Sequence, residues 1–462
     1  MTSLRFLPLF LVLLLGPMTW AQEKDDPKKK KSQTFEGLKA LKHPDAKVRY
    51  KAAQTLANVG PLAKFAVPEL RETLQDSNKV VRVKAVEALW KIEQTSPQVL
   101  LPVLLDALKD KDAGVRAAAA PVIALLGTKA KTALPALKDA LKDKELDVKL
   151  AAVVALGDLG PVAKSSADDL LALTDDPNFF LLEPFVGASL GNLGESVVPK
   201  LAKVLSEKSP ERRRVAAYAL GSMGASAAPA AAELAKALDV DDAATRQHAA
   251  RALGRIGPDA RSALPALAQR VTDKDVAVRI EAALATWRVG KNAQHVAVIV
   301  KALGDKSISV KDSACQALAS MKSGARDAVG PVADLLDDKD LRLRAIITLG
   351  EIGPPESKPV TAKLVKLLDD KDGEIQLWSS FALWQISGDA KRTLKVLNET
   401  LGTEKHYTQS IIQLGEMGDA AKSMLPTLVN LYREEDIAAD RQALAIAIRK
   451  IDPALAQKLG IR

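Results

Sequence analysis

The sequence predicts an all-α protein built from about thirteen repeats of two helices each. Three observations support this fold class. One sequence pattern, Val-Arg-x-x-Ala-Ala-x-x-Leu-Gly-x-Ile-Gly, recurs along the 462 residues. Capping residues divide each repeat into two helices. Apolar residues follow helical spacing throughout, and no segment shows the alternation of a β-strand.

The arginine of this pattern gives every repeat the same reference position. Successive reference positions are 30 to 34 residues apart, and eight of the thirteen are Arg while two are Lys. Leu follows seven residues later in ten repeats, and Gly follows eleven residues later in nine. A period of this length is typical of solenoids, in which each repeat buries its apolar faces against its neighbours. The reference positions are Arg49, Arg82, Arg116, Lys149, Glu183, Arg213, Arg246, Arg279, Lys311, Arg342, Gln376, Tyr407 and Arg441.

Capping signals predict where the two helices of a repeat begin and end. Asp275 stands where a helix N-terminus needs a side-chain acceptor, and Val278 and Ala282 then share one face. Gly290 is expected to end this helix in the left-handed conformation that glycine adopts most easily. The second helix is predicted to carry a proline in its first turn, where no hydrogen bond is lost. These prolines are Pro68, Pro102, Pro135, Pro199, Pro229, Pro265 and Pro426.

Composition restricts the chemistry that the chain can perform. Aromatic residues make up only 4%, which suits helices that pack through small side chains. The single cysteine, Cys315, excludes an internal disulfide and a multi-cysteine metal site, and we expect it to be a small core residue. The four histidines are scattered, and the sequence contains no phosphate-binding glycine loop or His-Glu-x-x-His motif. We therefore predict no catalytic residues, no metal and no cofactor.

The repeated pattern resembles the HEAT repeat, in the short form associated with phycobilin lyases and common in bacterial proteins, over about residues 35–461. The resemblance implies a right-handed α-solenoid of about thirteen two-helix HEAT-like repeats, with the arginine-bearing helices on the concave side. It also implies an arginine ladder to Asp residues of neighbouring turns, and Asp112 with Arg116 and Asp275 with Arg279 have the residue types for it. In three repeats the basic reference residue is replaced, by Glu183, Gln376 or Tyr407.

Two enzyme classes share these repeats and form the alternative to a binding scaffold. Deoxyhypusine hydroxylase builds its di-iron site from His-Glu pairs, and no His-Glu dipeptide occurs in this chain. Phycobilin lyases act on cytoplasmic light-harvesting subunits, which an exported protein would not meet. A fold-sharing enzyme is therefore disfavoured.

The N-terminus has the organisation of a secretory signal. Arg5 precedes an apolar run at residues 6–15, and Thr19-Trp20-Ala21 forms a small-residue cleavage site. We assign residues 1–21 to a signal peptide, 22–34 to a Lys-rich disordered linker and 35–462 to the solenoid. Export predicts a secreted or periplasmic protein; an uncleaved membrane anchor is the alternative, although the run is short for a bilayer span.

Positions two, five and nine after each reference residue are predicted to lie on the concave surface, where they form a basic patch. The formal net charge of +9 and this patch suit an acidic peptide, an anionic glycan or a phosphate-bearing ligand. Nucleic acid is disfavoured because acids nearly balance bases and aromatic residues are few. We predict an exported, non-catalytic scaffold that binds a protein or another anionic ligand, and the sequence leaves its oligomeric state open. The candidate binding residues are Tyr218, His248, Arg251, Arg255, Arg288, Arg344, Trp378 and Phe381.

One repeat departs from the pattern. Residues 175–205 lack the arginine, place Pro184 in a helix start, and carry Phe179, Phe180 and Phe185 where other repeats have small residues. We expect either a bend of the superhelix or a ligand-lining groove there, and the absence of visible partner chemistry favours the bend.

Overall fold

The computed structural model describes residues 37–435 and 437–461, and all regular secondary structure in these ranges is helical. The predicted signal peptide and the linker lie outside the described residues. The described chain forms two compact units, residues 37–406 and 407–461. The prediction of an all-α fold is confirmed, and so is the count of about thirteen helix pairs in the described ranges.

Residues 37–40 form a helical turn, and α-helices of alternating length follow it. The first helices of the pairs are 11 to 15 residues long and contain the reference positions. They are α1 Ala46–Val59, α3 Lys79–Glu93, α5 Ala113–Leu125, α7 Leu146–Leu159, α9 Phe179–Asn192, α11 Pro210–Met223, α13 Ala243–Ile256, α15 Val276–Gly290, α17 Ile308–Met321, α19 Arg342–Ile352, α21 Gly373–Ser387, α23 Tyr407–Met417 and α25 Ala438–Ile451. The second helices are α2 Val67–Thr73, α4 Pro97–Ala107, α6 Leu134–Ala140, α8 Ala167–Ala172, α10 Val198–Val204, α12 Ala231–Ala237, α14 Leu264–Arg270, α16 Val296–Ala302, α18 Val329–Asp334, α20 Thr361–Lys366, α22 Ala390–Thr400, α24 Leu425–Glu434 and α26 Pro453–Lys458.

Successive first helices pack side by side within the larger unit, and each second helix from α2 to α20 contacts the first helix of the following pair. Small residues permit this close approach. A Cβ added at Gly254 of α13 would lie 3.1 Å from the Cα of Ala285 on α15, so a larger residue would push the two helices apart. Ala249 and Leu253 are fully buried in the same contact layer. The apolar stripe of each helix therefore becomes the core of the neighbouring repeat.

Side-chain caps begin several first helices, as their sequence predicts. The Asp275 carboxylate accepts hydrogen bonds from the backbone N–H of Ala277 at 2.8 Å and of Val278 at 3.1 Å. Asp112 caps α5 in the same way, through the N–H of Gly114 at 2.7 Å. These bonds satisfy donors that a helix N-terminus leaves unpaired.

The connections between the helices of a pair are more ordered than the sequence suggests. Many are 3-10 helices, such as Gly257–Ala263, rather than short loops. Gly257 begins this segment with a φ of 77°, which explains the glycine at this position of the pattern. Among the described residues, three non-glycine positions have a positive φ, including Lys291 and Lys322.

Three details of the predicted helix boundaries are wrong. Gly290 belongs to α15, and the left-handed residue at the helix end is Lys291 with a φ of 56°. Pro102 lies inside α4, because that helix already begins at Pro97. Pro229 lies in the 3-10 helix Gly224–Ala230 and not in the first turn of α12.

Candidate binding surface

The solvent-facing side of the first helices α1 to α21 forms one surface in the larger unit, which we call the long-helix face. It carries most of the positions two, five and nine residues after the reference residues, and the positions between them pack against neighbouring helices. The residues that occupy such positions but are buried are Val215, Leu284 and Phe381. The candidate residues Tyr218 on α11, Arg251 on α13 and Arg288 on α15 therefore lie on three helices that are consecutive neighbours.

A ladder of reference residues borders this face and connects several repeats to the next. The Arg246 guanidinium donates from Nε and Nη2 to the two carboxylate oxygens of Asp273, at 2.8 and 2.7 Å. Its Nη1 donates to the backbone carbonyl oxygens of Val240 and Asp241 at 3.0 and 2.7 Å. Both side chains of the ion pair are almost fully buried. Equivalent pairs join Arg49 to Asp76, Arg116 to Asp143, Lys149 to Asp176, Lys311 to Asp338 and Arg342 to Asp370.

The expected ladder is present with different partners from those suggested by residue type. Arg116 reaches Asp143 in the following repeat, because Asp112 is already occupied as the cap of its own helix. Arg279 binds the carbonyl oxygens of Asp273 and Lys274, and Asp275 caps α15 instead of pairing with it. The acid that would complete the Arg279 pair is absent because Lys306 stands 27 residues further on, where other repeats have Asp.

The three repeats without a base use other groups at the reference position. Gln376 donates from its amide to the carbonyl oxygen of Asp370 at 2.7 Å, which reproduces one hydrogen bond of the arginine. In the smaller unit, the Tyr407 hydroxyl donates to the Glu435 carboxylate at 3.0 Å. Glu183 reverses the polarity and accepts from the Arg214 guanidinium at 2.7 Å.

Two arginines of the predicted basic patch are neutralised by carboxylates. Arg251 donates to the Glu281 carboxylate of the next helix, at 2.9 Å from Nε and 2.5 Å from Nη2. Arg344 donates to Asp312 of the preceding helix at 2.5 Å. Since both charges are compensated within the protein, these residues offer less attraction to an anion than their sequence suggests.

Arg255 and Arg288 have no carboxylate partner among the described residues. Arg255 makes only a long hydrogen bond, 3.4 Å, to the carbonyl oxygen of Gly221. The side chain of Arg288 lies over Gly254, whose missing Cβ leaves room for it. Burial by surrounding protein lowers the pKa of Arg288, and the positive charges of Arg255 and Arg251 lower it further against the opposing effect of Glu281. Surrounding protein and the charge of Arg251 lower the pKa of Arg255, against the opposing effects of Glu281 and Tyr218. Two guanidinium groups on adjacent helices thus share an excess of positive charge.

His248 and Tyr218 form an aromatic contact beside these arginines. Their rings meet edge to face with centroids 5.5 Å apart. Burial lowers the pKa of His248 to about 4, assisted by the charge of Arg251, so the imidazole is neutral at physiological pH. Its Nδ1 is buried and has no hydrogen-bond partner among the described residues. His248 therefore adds a polar atom but no positive charge to the patch.

The aromatic residues of α21 form a stacked cluster. Phe381 meets Trp378 at 6.4 Å and Trp384 at 5.4 Å between ring centroids. Phe381 is only 8% exposed, so its role as a partner anchor is corrected to that of a packing residue. Trp378 is half-buried and keeps part of its ring on the long-helix face.

The irregular repeat presents apolar side chains to solvent. Phe179 is buried in the core, whereas Phe180 is 71% exposed and Phe185 lies on the long-helix face with much of its ring in water. Pro184 lies inside α9 without ending it. Leu181 and Leu125 are exposed as well, and the sequence analysis missed both. The signal for Leu125 is its position nine residues after Arg116, where the other repeats carry polar residues. Leu181 lies four residues before Phe185 and outside the positions used to predict the surface.

A comparison with protein-family models matches HEAT repeats at residues 37–120, 101–183, 231–294 and 296–383, more than half of the chain. The chain belongs to the HEAT-repeat family. A search of curated proteins finds no significant sequence match. Among solved structures, an engineered protein is 22% identical, with 79% of this chain and 98% of that chain covered and a TM-score of 0.32. Kap121p bound to Pho4p is 16% identical, with 95% of this chain and 55% of that chain covered and a TM-score of 0.40.

Kap121p alone gives a similar result, at 18% identity, with 94% of this chain covered and a TM-score of 0.39. The HEAT-repeat protein therefore spans about half the length of Kap121p. Identities and TM-scores in this range carry no argument about partners, so the function must be argued from the protein's own surface.

Other side chains that could bind a metal or react are few in the part of the HEAT-repeat protein that the structure describes. No group of three potential metal-ligating side chains occurs among residues 37–435 and 437–461. Within the same ranges, no helix has the length and apolar character needed to cross a bilayer. Cys315 is fully buried, and burial raises the pKa of its thiol to about 11. A buried neutral thiol behaves as a small core residue and is a poor nucleophile.

Proposed function

We propose that this HEAT-repeat protein is an exported, non-catalytic scaffold that binds an acidic protein segment on its long-helix face, at Arg255 and Arg288. The observation that carries the proposal is the missing countercharge. Arg214, Arg251 and Arg344 on the same face each have a carboxylate partner, whereas no described carboxylate pairs with Arg255 or Arg288.

The chemistry of the site favours carboxylates as the ligand. A guanidinium group donates two parallel hydrogen bonds to a carboxylate, and the pair is stronger where water is partly excluded. Arg255 is exposed and Arg288 is half-buried, so a ligand can reach both guanidinium groups. A bound carboxylate would supply the countercharge that neither group finds among the described residues. Because both residues lie on rigid, adjacent helices, binding needs little ordering of the protein.

Binding of a fluorescently labelled peptide tests the site. The probe is a twelve-residue peptide of alternating Glu and Ser, and its affinity is measured by fluorescence anisotropy at several salt concentrations. We expect the double variant Arg255→Gln/Arg288→Gln to bind at least tenfold more weakly and to show a smaller salt dependence. An affinity equal to that of the parent would refute the proposed site.

The matched control removes the same charge elsewhere. Arg261 and Arg326 are exposed arginines in the 3-10 connections, away from the long-helix face. Arg261→Gln/Arg326→Gln should leave the anisotropy titration unchanged, apart from a small effect of net charge. A labelled single-stranded DNA of equal charge provides a further comparison, and tighter binding of DNA than of the peptide would contradict a protein partner.

Export is tested separately. The signal-like order of Arg5, the apolar run at 6–15 and Thr19-Trp20-Ala21 supports cleavage after Ala21. Mass spectrometry of the protein expressed with its own N-terminus should show a chain that begins at Gln22. Recovery of the uncleaved chain from the cytosol would contradict export.

A further inference from the structure

We propose that one partner segment makes two contacts with the long-helix face. Its carboxylates bind Arg255 and Arg288, and its apolar side chains bind an apolar stretch on α5, α7 and α9. The inference rests on the proposed function for its acidic part and adds a second, separate contact. We define the apolar stretch by its side chains Pro121, Leu125, Leu150, Val154, Leu181 and Phe185.

The stretch exposes large apolar side chains that are not buried in the core. Leu125 is 41% exposed, Leu181 is 46% exposed and Phe185 is 39% exposed. Leu150 and Val154 are half-buried on α7, the helix that lies between the other two. The stretch therefore runs across three neighbouring helices. Soluble proteins rarely leave such a continuous apolar surface uncovered unless it binds something.

The register of the repeats places this stretch on the same face as the arginines. Leu125 lies nine residues after its reference position, as Arg255 does, and Phe185 lies two residues after its own, as His248 does. The first helices that precede the stretch are polar at these positions. Helix α1 has Lys51 and Gln54 there, and the equivalent positions of α3 are Lys84, Glu87 and Lys91.

Helix α9 concentrates the apolar character most strongly. Phe180 and Pro184 are spaced by four residues, as are Leu181 and Phe185, so the four side chains occupy one side of the helix. All four are exposed. Next to the stretch, Asp158 is exposed at the end of the face of α7. An acidic group of the partner would meet another carboxyl group here, whereas it would meet guanidinium groups on α13 and α15.

The spacing between the two parts follows from helix packing. Neighbouring helices lie about 8–10 Å apart, so two to three steps separate α9 from α13 and α15, a span of about 20–30 Å. An extended chain covers about 3.3–3.6 Å per residue. A partner segment therefore needs roughly six to nine residues between its apolar and acidic parts. Helix α11, which lies between, offers Tyr218 and the paired Arg214, a surface that tolerates a polar linker.

Charge complementarity identifies the occupant as an acidic–apolar protein segment. The apolar stretch is followed on one side by Arg255 and Arg288, whose charge has no carboxylate partner among the described residues. A segment that is both apolar and acidic satisfies the two parts at once, and linking the contacts raises the affinity through effective concentration. A second copy of the chain would have to present apolar side chains and carboxylates together on its folded surface. The test below distinguishes such self-association from binding of a partner segment.

Four labelled peptides separate the two contacts. The complete peptide carries Leu-Phe-Leu, a seven-residue Gly/Ser linker and four Glu; the others lack the apolar part, lack the acidic part, or shorten the linker to two residues. We expect the complete peptide to bind at least tenfold more tightly than either part alone, and the short-linker peptide to lose this gain.

Two variants test which surface provides the gain. Leu181→Ser/Phe185→Ser should reduce binding of the complete peptide to the level of the acidic peptide and leave the acidic peptide unaffected. Leu62→Ser/Phe65→Ser is the matched control, because both residues are exposed in the connection Gly60–Ala66, and it should change nothing. Circular dichroism verifies that both variants keep their helicity.

The outcomes distinguish this inference from the proposed function. If the acidic peptide binds through Arg255 and Arg288 but Leu181→Ser/Phe185→Ser leaves the complete peptide unaffected, the apolar contact is refuted and the proposed function stands. If Arg255→Gln/Arg288→Gln binds the acidic peptide as tightly as the parent does, the proposed function is refuted, and the two-part inference that rests on it is refuted as well. If sedimentation shows that the Ser variant converts a parent dimer to a monomer, the stretch is a self-association surface and the inference is overturned.

Discussion

The buried pair between Arg246 and Asp273 offers the sharpest test of how neighbouring repeats are held together. The substitution Asp273→Asn keeps the shape of the side chain and removes its charge. Arg246 would then stay buried without a countercharge, and its acceptors would be the new amide oxygen and the carbonyl oxygens of Val240 and Asp241. Breaking a buried ion pair by removing one partner costs about 3–5 kcal/mol. Because these carbonyl bonds and part of the amide bonding survive, we expect about 3 kcal/mol, the lower end of that range.

The loss should be local, since solenoid stability is approximately a sum of repeats and their interfaces. Hydrogen exchange measured by mass spectrometry is the suitable assay, because a single unfolding midpoint is poorly defined for a long repeat array. Peptides from α13 and α15 should exchange about a hundredfold faster or more, as follows from about 3 kcal/mol at about 1.4 kcal/mol per tenfold change. Peptides from α3 should be unchanged.

A matched substitution controls for the chemistry of Asp→Asn. Asp168 pairs with Lys200 across another repeat boundary, but both side chains are largely exposed. Exposed pairs contribute about 0–1 kcal/mol, so Asp168→Asn should have little effect. Equal effects of the two variants, or no effect of Asp273→Asn on α13 and α15, would refute the conclusion that the buried ladder stabilises the interface.

The pH dependence of this pair has a defined sign. Burial alone would raise the pKa of Asp273, but hydrogen bonds from Arg246 and the N–H of Asp275 outweigh it and the pKa is lowered. A carboxyl whose pKa is lower in the folded protein stabilises the fold above its unfolded pKa of about 3.9 and loses this contribution as the pH falls. The difference between the parent and Asp273→Asn should therefore shrink below about pH 4.

Three further predictions concern single residues. Lys322 has a φ of 51° where other repeats use glycine, so Lys322→Gly should stabilise its repeat by about 1 kcal/mol, measured by hydrogen exchange of peptides from α17 and α18. Gly257→Ala should destabilise its own repeat, and faster exchange in Lys322→Gly would contradict the strain. Tyr407→Phe should cost about 1 kcal/mol because it removes the hydrogen bond to Glu435, and unchanged urea unfolding of the smaller unit would disprove this. Cys315 should resist a thiol reagent in the native protein and react fully in denaturant, and rapid native labelling would show that it is accessible.

The sequence determined the fold because its information is local and repeated. The reference residues, the leucines seven positions later and the capping Asp residues each act within one repeat or on the next. Their period predicts helix pairs, and the structure confirms thirteen of them in the described ranges. Cys315 illustrates the same logic, since its position beside Ala314 predicts the burial that the structure shows.

Only the tertiary structure decided which charges remain available. Arg251 and Arg255 are both predicted to lie on the same face of one helix, yet Arg251 is neutralised by Glu281, thirty residues away, and Arg255 is not. The ladder shows the same limit, since the partner of Arg116 is Asp143 in the next repeat and not the nearby Asp112. An ion pair depends on distances between side chains of different repeats, and a periodic sequence fixes the stacking order but not these distances.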